Sequence, residues 1–248
     1  MKVLACVVVA SVVVSAQQAA GPRFDAASIK RNTSGGGESG GSTTPNQIRA
    51  TNVTLLWLLR RAHGLQDYQV VGAPEWTKTE RYDVLARAEQ AETNQIEVML
   101  RNLLADRFQL VARTETREMP VYVLVTARPG QLGPRLTKTV VTDCMKTGQF
   151  CGTDSSNMAI RSVAETMTRL AAQVSPLAGR TVINQTALDG RYDFELTWTS
   201  DAQRPPRPND NGPSIFTALQ EQLGLKLDAQ RGPVDVMVIE RVERPTED

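Results

Sequence analysis

The chain has few of the residues that most often hold metal ions or carry out acid–base chemistry. Its 248 residues include one histidine, His63, and three cysteines. A Ser-His-Asp triad would have to use that histidine. If Cys6 is removed with an N-terminal signal segment, two thiols and one distant histidine remain, which are too few ligands for a zinc site. The H-E-x-x-H and S-x-x-K patterns are also absent from the sequence. We therefore predict no metal, no cofactor and no catalytic residue.

The chain also lacks an excess of positive or negative charge. Lys and Arg together number 28, against 27 for Asp and Glu. Without a basic excess there is little to neutralise phosphates, which argues against nucleic acid as a partner. Aromatic residues make up only 5% of the chain and hydrophobic residues 41%, which predicts a globular core built mainly of Val, Leu and Ala.

No apolar run is long enough to cross a membrane. The main apolar stretch runs from Leu4 to Val14, follows Lys2, and ends at the small residues Ser15 and Ala16. This pattern predicts a secretory signal peptide over residues 1–16, and the run is shorter than the ~20 residues of a membrane helix. We therefore expect export to the periplasm or the exterior, with no transmembrane segment after signal removal.

The cysteines fit an exported protein. Cys6 lies in the signal segment, too early for the lipoprotein site that the preceding Val3-Leu4-Ala5 partly matches. If Cys6 is removed with the signal, Cys144 and Cys151 remain in a Gly/Thr-rich segment. In an oxidising compartment the simplest interpretation is one disulfide-closed loop, with two free thiols as the alternative.

The most informative feature is a repeat. Arg81-Tyr82-Asp83 returns 110 positions later as Arg191-Tyr192-Asp193, and the segment PVYVLV from Pro120 returns 113 positions later as PVDVMV from Pro233. A helix-like run and a Val-rich segment precede each triplet, and a second helix and two strands follow it. The order indicates one unit of about a hundred residues used twice.

The predicted fold is α+β, with two tandem, structurally similar lobes. Each lobe is expected to be a mostly antiparallel sheet with two helices on one face. The predicted parts are an N-terminal strand and Gly/Ser-rich loop in 17–47, a first repeat in 48–127, a linker with the Cys144–Cys151 loop in 128–157, and a second repeat in 158–248. Residues 33–46 are expected to be flexible. No Gly-Lys-Ser/Thr follows their glycines, which argues against a phosphate cradle.

Caps and apolar spacing predict four helices, two in each repeat. Their predicted ends are Thr54 to Gly64, a capping box at Asn94 and Glu97, a capping box at Ser162 and Glu165, and Ser214 to Gly224. Short strands are predicted at 24–29, 68–71, 81–87, 108–114, 121–126, 181–185, from 191, 225–229 and 234–242. Asp189-Gly190 is a tight-turn signal that predicts pairing between the 181–185 strand and the strand from 191.

The candidate ligand-binding residues are Trp76 and the charged members of the triplets, Arg81, Asp83, Arg191 and Asp193. In an alternating strand the tyrosine packs inward, while Arg and Asp share the outer face and pair with each other or with neighbouring strands. The alternatives are ligand contact and an Asp83–Asp193 carboxylate pair for acid–base chemistry or sugar hydrolysis. Trp76 is either an exposed aromatic that anchors a peptide or sugar, or a packed lid of its loop.

His63 precedes the predicted helix end at Gly64. A partly positive ring there suits the helix dipole and the last carbonyl groups. We therefore interpret His63 as a structural cap.

Several long stretches resemble one family. They are FDAASIKRN, NVTLLWLLRRAHGL, APEWTKTERYDVLARA, MLRNLLADRFQL, PVYVLV, LDGRYDFELTW and PSIFTALQEQLGLKLDAQRGPVDVMVIERVERPTE, between residues 24 and 247. They resemble the exported, soil-associated DUF3738 family of soil bacteria, which has no established activity. The resemblance implies export from a bacterial cell, and relatives joined to a membrane metallopeptidase of the antibiotic-sensor type imply sensing. Members of the family tend to carry an aromatic residue before the helix-ending glycine, where this chain has His63, which argues against a shared catalytic role for His63. Residues 52–71 are more weakly similar to the N-terminal partner-binding domain of secretins and outer-membrane receptors.

The favoured hypothesis is a non-enzymatic, exported binding or sensory module of the bacterial envelope. Its partner would be an envelope protein, a peptide or a glycan. Structural roles explain the repeated residues, and no set of catalytic residues remains among them. The alternatives are a hydrolase of envelope polymers that uses Asp83 and Asp193, and a structural envelope component.

Overall fold

The computed structural model describes residues 21–89, 95–141, 151–156, 158–199 and 212–245. The described residues form two compact units, each assembled from separate segments. Unit 1 draws on the described residues within Met1–Leu65, Ala73–Val111 and Ile239–Asp248, and unit 2 on those within Gln66–Gly72 and Ala112–Val238. Both units therefore combine segments of both predicted repeats. The predicted signal peptide and Cys144 lie outside the described residues, so the signal and the disulfide stay predictions.

The described residues contain twelve strands and five α-helices. They are β1 Ala26–Asn32, β2 Gly40–Thr44, β3 Gln47–Thr54, α1 Leu55–His63, β4 Val70–Val71, α2 Trp76–Thr79, β5 Arg81–Arg87, α3 Ile96–Phe108, β6 Val111–Thr126, β7 Leu136–Lys138, β8 Gly152–Ser156, β9 Ala159–Glu165, α4 Met167–Ala178, β10 Val182–Asn184, β11 Tyr192–Thr197, α5 Ile215–Ala218 and β12 Leu225–Arg241.

The strands form three four-stranded sheets. The sheet of unit 1 is antiparallel in the order β1-β5-β3-β2, and unit 2 has an antiparallel sheet in the order β7-β11-β9-β8. The third sheet has the order β10-β6-β12-β4, with β10 parallel to β6 and β4 parallel to β12. The α+β class is confirmed, and the third sheet is the part that is not antiparallel throughout.

Most helix signals are confirmed. The Thr54 hydroxyl accepts a hydrogen bond from the Trp57 N–H, Ser214 caps α5 in the same way, and Gly64 ends α1 in the left-handed conformation. Apolar residues on the inner faces of these helices are buried, including Leu58 of α1 and Leu104 of α3. Burying such a leucine stabilises a core by about 2 kcal/mol.

The start of α4 was predicted wrongly. Ser162 and Glu165 lie in β9, and Thr166 is the N-cap, because its hydroxyl accepts from the Arg169 N–H. Strand pairing of β9 on both sides outweighs the local capping signal. Asn94, the predicted cap of α3, lies outside the described residues. Phe216 of α5 carries an apolar side chain at a predicted helix position, but it is 40% exposed and packs edge-on against Tyr122.

Strand pairing also differs from the prediction at three places. The 181–185 segment does not pair with the strand from 191, because β10 pairs with β6 while β11 pairs with β7 and β9. The strands predicted at 108–114 and 121–126 form the single strand β6, and those at 225–229 and 234–242 form β12. The predicted flexible loop 33–46 contains β2, which a two-residue turn at Pro45-Asn46 joins to β3.

In unit 2, a π-helix at Leu219–Leu223 follows α5 and ends at Gly224. The Gln222 side chain donates to the Thr197 carbonyl at 2.7 Å and accepts from the Thr197 N–H at 3.0 Å. The Gln222 side chain thus pairs with the backbone of Thr197, at the end of β11, as a neighbouring strand would. The Gly133 N–H donates to the Leu223 carbonyl at 2.9 Å, so two backbone segments meet without side chains between them.

Candidate functional site

The first triplet holds a strained residue of the neighbouring strand. Asn52 lies at a bulge in β3 and has a φ of 55°. Its N–H donates to the Asp83 carboxylate at 2.8 Å, and its carbonyl accepts from Arg81 Nη1 at 3.1 Å. We call this arrangement, Arg81 and Asp83 around Asn52, the first bracket. Bulges bend a strand and leave one residue unpaired, and the two charged side chains satisfy that residue.

The second triplet has the same geometry in unit 2. Ala164 lies at an irregularity between β9 and β11 and has a φ of 56°. Its N–H donates to the Asp193 carboxylate at 2.8 Å, and its carbonyl accepts from Arg191 Nη1 at 2.6 Å. We call Arg191 and Asp193 around Ala164 the second bracket. In both brackets the threonine that caps the next helix, Thr54 or Thr166, comes two positions after the strained residue.

The tyrosines of the triplets point into the two units. Tyr82 and Tyr192 are buried, as their alternation predicts. The Tyr82 ring packs edge-on against Phe108 with the ring centres 5.5 Å apart, and its hydroxyl donates to Glu80. Burial, followed by the hydrogen bond to Glu80, raises the pKa of Tyr82 to about 12. The triplet therefore joins the core on one side to the bulge on the other.

The first bracket borders a cleft in unit 1 with a volume of about 590 Å³. The Gly-rich loop, residues 33–39, forms one side of the cleft. Its other linings are the amide side chains of Asn32 and Asn52 and the charged side chains of Arg31, Glu80 and Arg81. Hydrogen-bond donors and two exposed guanidinium groups thus surround a space large enough for a small ligand.

Side-chain hydrogen bonds hold the Gly-rich loop on both sides. Asn32 donates to the Asp83 carboxylate at 3.0 Å and accepts from the Ser34 N–H at 2.9 Å. Asn52 donates to the Gly37 carbonyl at 3.2 Å, and the Ser39 hydroxyl donates to the Asn52 carbonyl at 2.8 Å. The loop was predicted to be flexible, and the bracket residues instead position it.

A second network lies beside the cleft. Glu80 binds Arg244 through both carboxylate oxygens, with the closest contact at 2.7 Å, and Arg31 Nη2 lies 3.7 Å from Glu80. The hydrogen bond from Arg244 holds the pKa of Glu80 below its usual range. The Arg244 guanidinium also stacks on Trp76, 5.0 Å from the ring centre. Trp76 is thus half-buried in α2 and covered by an arginine.

The structure brings some of the candidate residues together and separates others. Arg81, Asp83 and Trp76 lie in unit 1, whereas Arg191 and Asp193 lie in unit 2. Asp193 borders a different cavity, of about 650 Å³, which charged residues of β8, β9 and β11 also line. Sequence reasoning missed Asn32, Asn52 and Arg244. No local pattern identified Asn52, because its counterpart Ala164 is of another residue type and Thr166 was not predicted as a helix cap.

Within the described part of the chain, no three His, Cys, Asp or Glu side chains converge as metal ligands would. His63 ends α1, as predicted, but its ring is not positive at neutral pH. Burial, and then the positive charge of Arg101, lowers the pKa of His63 to about 4. Its Nε2 is buried with no hydrogen-bond partner among the described residues. His63 is therefore a neutral packing residue, and not a cation on the helix dipole.

Acidification is expected to destabilise the wild-type protein more than a His63→Phe variant. Because the folded pKa lies below the ordinary value of 6.5, protonation favours the unfolded chain, and stability is lost as the pH falls from 6.5 towards 4. The difference between the variants should be about 1 kcal/mol on going from about pH 7.5 to about pH 5, after a reduction for partial solvent exposure. Urea unfolding at the two pH values measures it, and an equal loss in both proteins would contradict the assignment.

The helices among the described residues are all too short or too polar to span a bilayer. Comparison with curated proteins and with solved structures finds no match. A family model described as "Protein of unknown function (DUF3738)" matches residues 56–242, from the first turn of α1 to just past the end of β12. This match covers most of the chain and includes both triplets. The chain therefore belongs to the DUF3738 family.

Proposed function

We propose that the chain is a non-enzymatic, exported binding or sensory module of the bacterial envelope, whose ligand occupies the cleft at the first bracket. One observation carries the proposal. Arg81 is exposed at the cleft, and the Gly-rich loop beside it is held by hydrogen bonds of Ser34 with Asn32 and of Gly37 and Ser39 with Asn52. Donors that are positioned before binding lower the entropy that association loses.

The brackets support binding over hydrolysis. Asp83 accepts from a backbone N–H and from Asn32, and Asp193 accepts from a backbone N–H. A pair of hydrolytic carboxylates has to flank one scissile bond, whereas these two hold bulges in separate sheets. Their geometry gives each a structural task that explains why the triplet occurs twice.

The export and duplication parts of the proposal have separate support. Export is supported by the signal pattern in 1–16, and a Cys144–Cys151 disulfide fits an oxidising compartment. Internal duplication is supported by the two brackets and by the element order strand, helix, strand, strand, helix, strand from β9 to β12, which also runs from β3 to β6 apart from the short helix α2. Duplication accounts for the repeated triplet without a shared active site.

Isothermal titration of the chain without residues 1–16 tests the function. Soluble cell-wall fragments and envelope-derived peptides are the two sets of probes. We expect a probe from one set to bind saturably and to be recovered chemically unaltered. Arg31→Gln should weaken that binding about tenfold, because a charge-assisted hydrogen bond is lost. The matched control is Arg161→Gln, an exposed arginine of unit 2 that pairs with Glu195. Reproducible turnover of a probe, or equal binding by both variants and the wild type, would contradict the proposal.

A further inference from the structure

The geometry points to an extended peptide as the ligand, added as a strand along the outer edge of β2 with its free C-terminal carboxylate at Ser39 and Arg81. This inference rests on the proposed function and names the ligand class. Strand addition obtains affinity from main-chain hydrogen bonds, and backbone N–H groups capture a terminal carboxylate.

The edge of β2 is suited to pairing. In the described part of the chain β2 is the last strand of its sheet. Because only Pro45 and Asn46 close the hairpin, Thr44 and Gln47 form a hydrogen-bonded pair, and such pairs alternate along an antiparallel ladder. Gly41 and Thr43 therefore direct their backbone N–H and C=O groups to the open side.

The composition of β2 leaves this edge unprotected. Edge strands commonly carry charges, proline or bulges that prevent pairing with another chain. The segment Gly40-Gly41-Ser42-Thr43-Thr44 has no charged residue and no proline, and its register with β3 is regular. A five-residue edge of this kind accepts a short added strand.

The direction of an added strand places its C-terminus at the cleft. A peptide that pairs antiparallel to β2 ends beside the start of β2, where Ser39 and the Gly-rich loop lie. Arg81 Nη1 is 3.4 Å from the Ser39 hydroxyl, which places a guanidinium group at that point. Arg31 lines the same cleft, and the one acidic lining residue, Glu80, is bound by Arg244. The charges therefore complement a carboxylate.

Trp57 adds an apolar contact for one peptide side chain. Its Cη2 lies 3.0 Å from the position that a Cβ on Gly41 would occupy, so the partly exposed indole covers the strand where the side chain is missing. A Cβ on Gly41 would also lie 2.8 Å from the Arg49 carbonyl. Because Gly41 has no side chain, the Trp57 indole can lie against the backbone of β2 at the edge of the sheet.

The test is a selection of hexapeptides displayed with free C-termini on the chain without residues 1–16. The selected sequence is then synthesised as the free acid, as the C-terminal amide, and with single N-methyl groups along its backbone. We expect the acid to bind at least tenfold more tightly than the amide, and N-methylation to abolish binding at alternate positions only. Fluorescence anisotropy provides the dissociation constants.

Three protein variants complete the test. Arg31→Gln should weaken the acid about tenfold and leave the amide unchanged, and Arg81→Gln should weaken the acid at least tenfold. Arg191→Gln loses the equivalent contact of the second bracket and should bind the acid as the wild type does, which separates recognition from folding. No enriched peptide, equal affinity for acid and amide, or equal weakening by Arg191→Gln would overturn the inference. Saturable binding of cell-wall glycan fragments alone would overturn it while the proposed function stands.

Discussion

Asp83→Ala is expected to lower the free energy of unfolding by about 2–3 kcal/mol, because it removes a charged acceptor from the half-buried bulge of β3. The Asn52 N–H, which donates to Asp83 at 2.8 Å, and the Asn32 amide, at 3.0 Å, would both lose that acceptor. A backbone group left without a hydrogen bond in a half-buried place loses its solvation as well. Urea unfolding followed by circular dichroism measures the change.

Two matched variants show whether the bracket is the cause. Asp83→Asn keeps an oxygen that can accept from Asn52, so its effect should be about 1 kcal/mol. Asp193→Ala removes one such bond, from Ala164, and should lie between these values. If Asp83→Ala unfolds at the wild-type urea concentration, the bracket has no structural role and the carboxylate is free for another task.

Gly224→Ala is expected to lower the free energy of unfolding by about 3 kcal/mol or more, because the added methyl group meets backbone atoms that cannot rotate away. A Cβ on Gly224 would lie 2.5 Å from the Gly133 nitrogen and 3.0 Å from the Leu132 carbonyl carbon. The π-helix that ends at Gly224 and the segment at Gly133 would have to separate, and the hydrogen bond between them would break.

Gly64→Ala is the control for backbone strain. Gly64 ends α1 with the same φ of 67° as Gly224, but a Cβ there would meet no atom within 4 Å. Its effect should therefore be only the left-handed strain of alanine, about 1 kcal/mol. Thermal or urea unfolding gives the loss of stability in each variant. Equal losses would show that the contact between Gly224 and Gly133 adds nothing to the backbone strain.

Local patterns predicted the helices better than the sheets. The α1 cap at Thr54, its end at Gly64 and its buried face follow from neighbours within four positions, and the structure confirms them. The pairing of β4 with β12 joins residues far apart in the chain, and no local signal encodes it. Ser162 and Glu165 had a correct capping pattern, but the pairing of β9 with strands on both sides outweighed it.

The candidate site was predictable only in part. The alternation of the triplets correctly placed the tyrosines inward and the charged residues outward. The bulges that those charges hold depend on a positive φ at Asn52 and Ala164, and alanine carries no sequence signal for that conformation. The cleft forms because the Gly-rich loop is held by Asn32 and Asn52, two residues that only the fold brings beside Asp83.

The two brackets share a geometry but differ in what surrounds them. Asn52 of the first bracket contacts the Gly-rich loop through Gly37 and Ser39. Ala164 of the second bracket has no polar side chain that could make such contacts. The first bracket thus combines a structural triplet with the Gly-rich loop, and the second bracket, whose strained residue makes no such side-chain contacts, is a control for tests of the cleft beside that loop.

Amide hydrogen exchange of the chain, with and without the probe that binds in the titrations, tests the central claim most directly. If the ligand occupies the cleft at the first bracket, the amides of residues 33–44 should exchange more slowly in its presence, while those around Ala164 keep their rates. Slower exchange confined to unit 2, with residues 33–44 unchanged, would contradict the account.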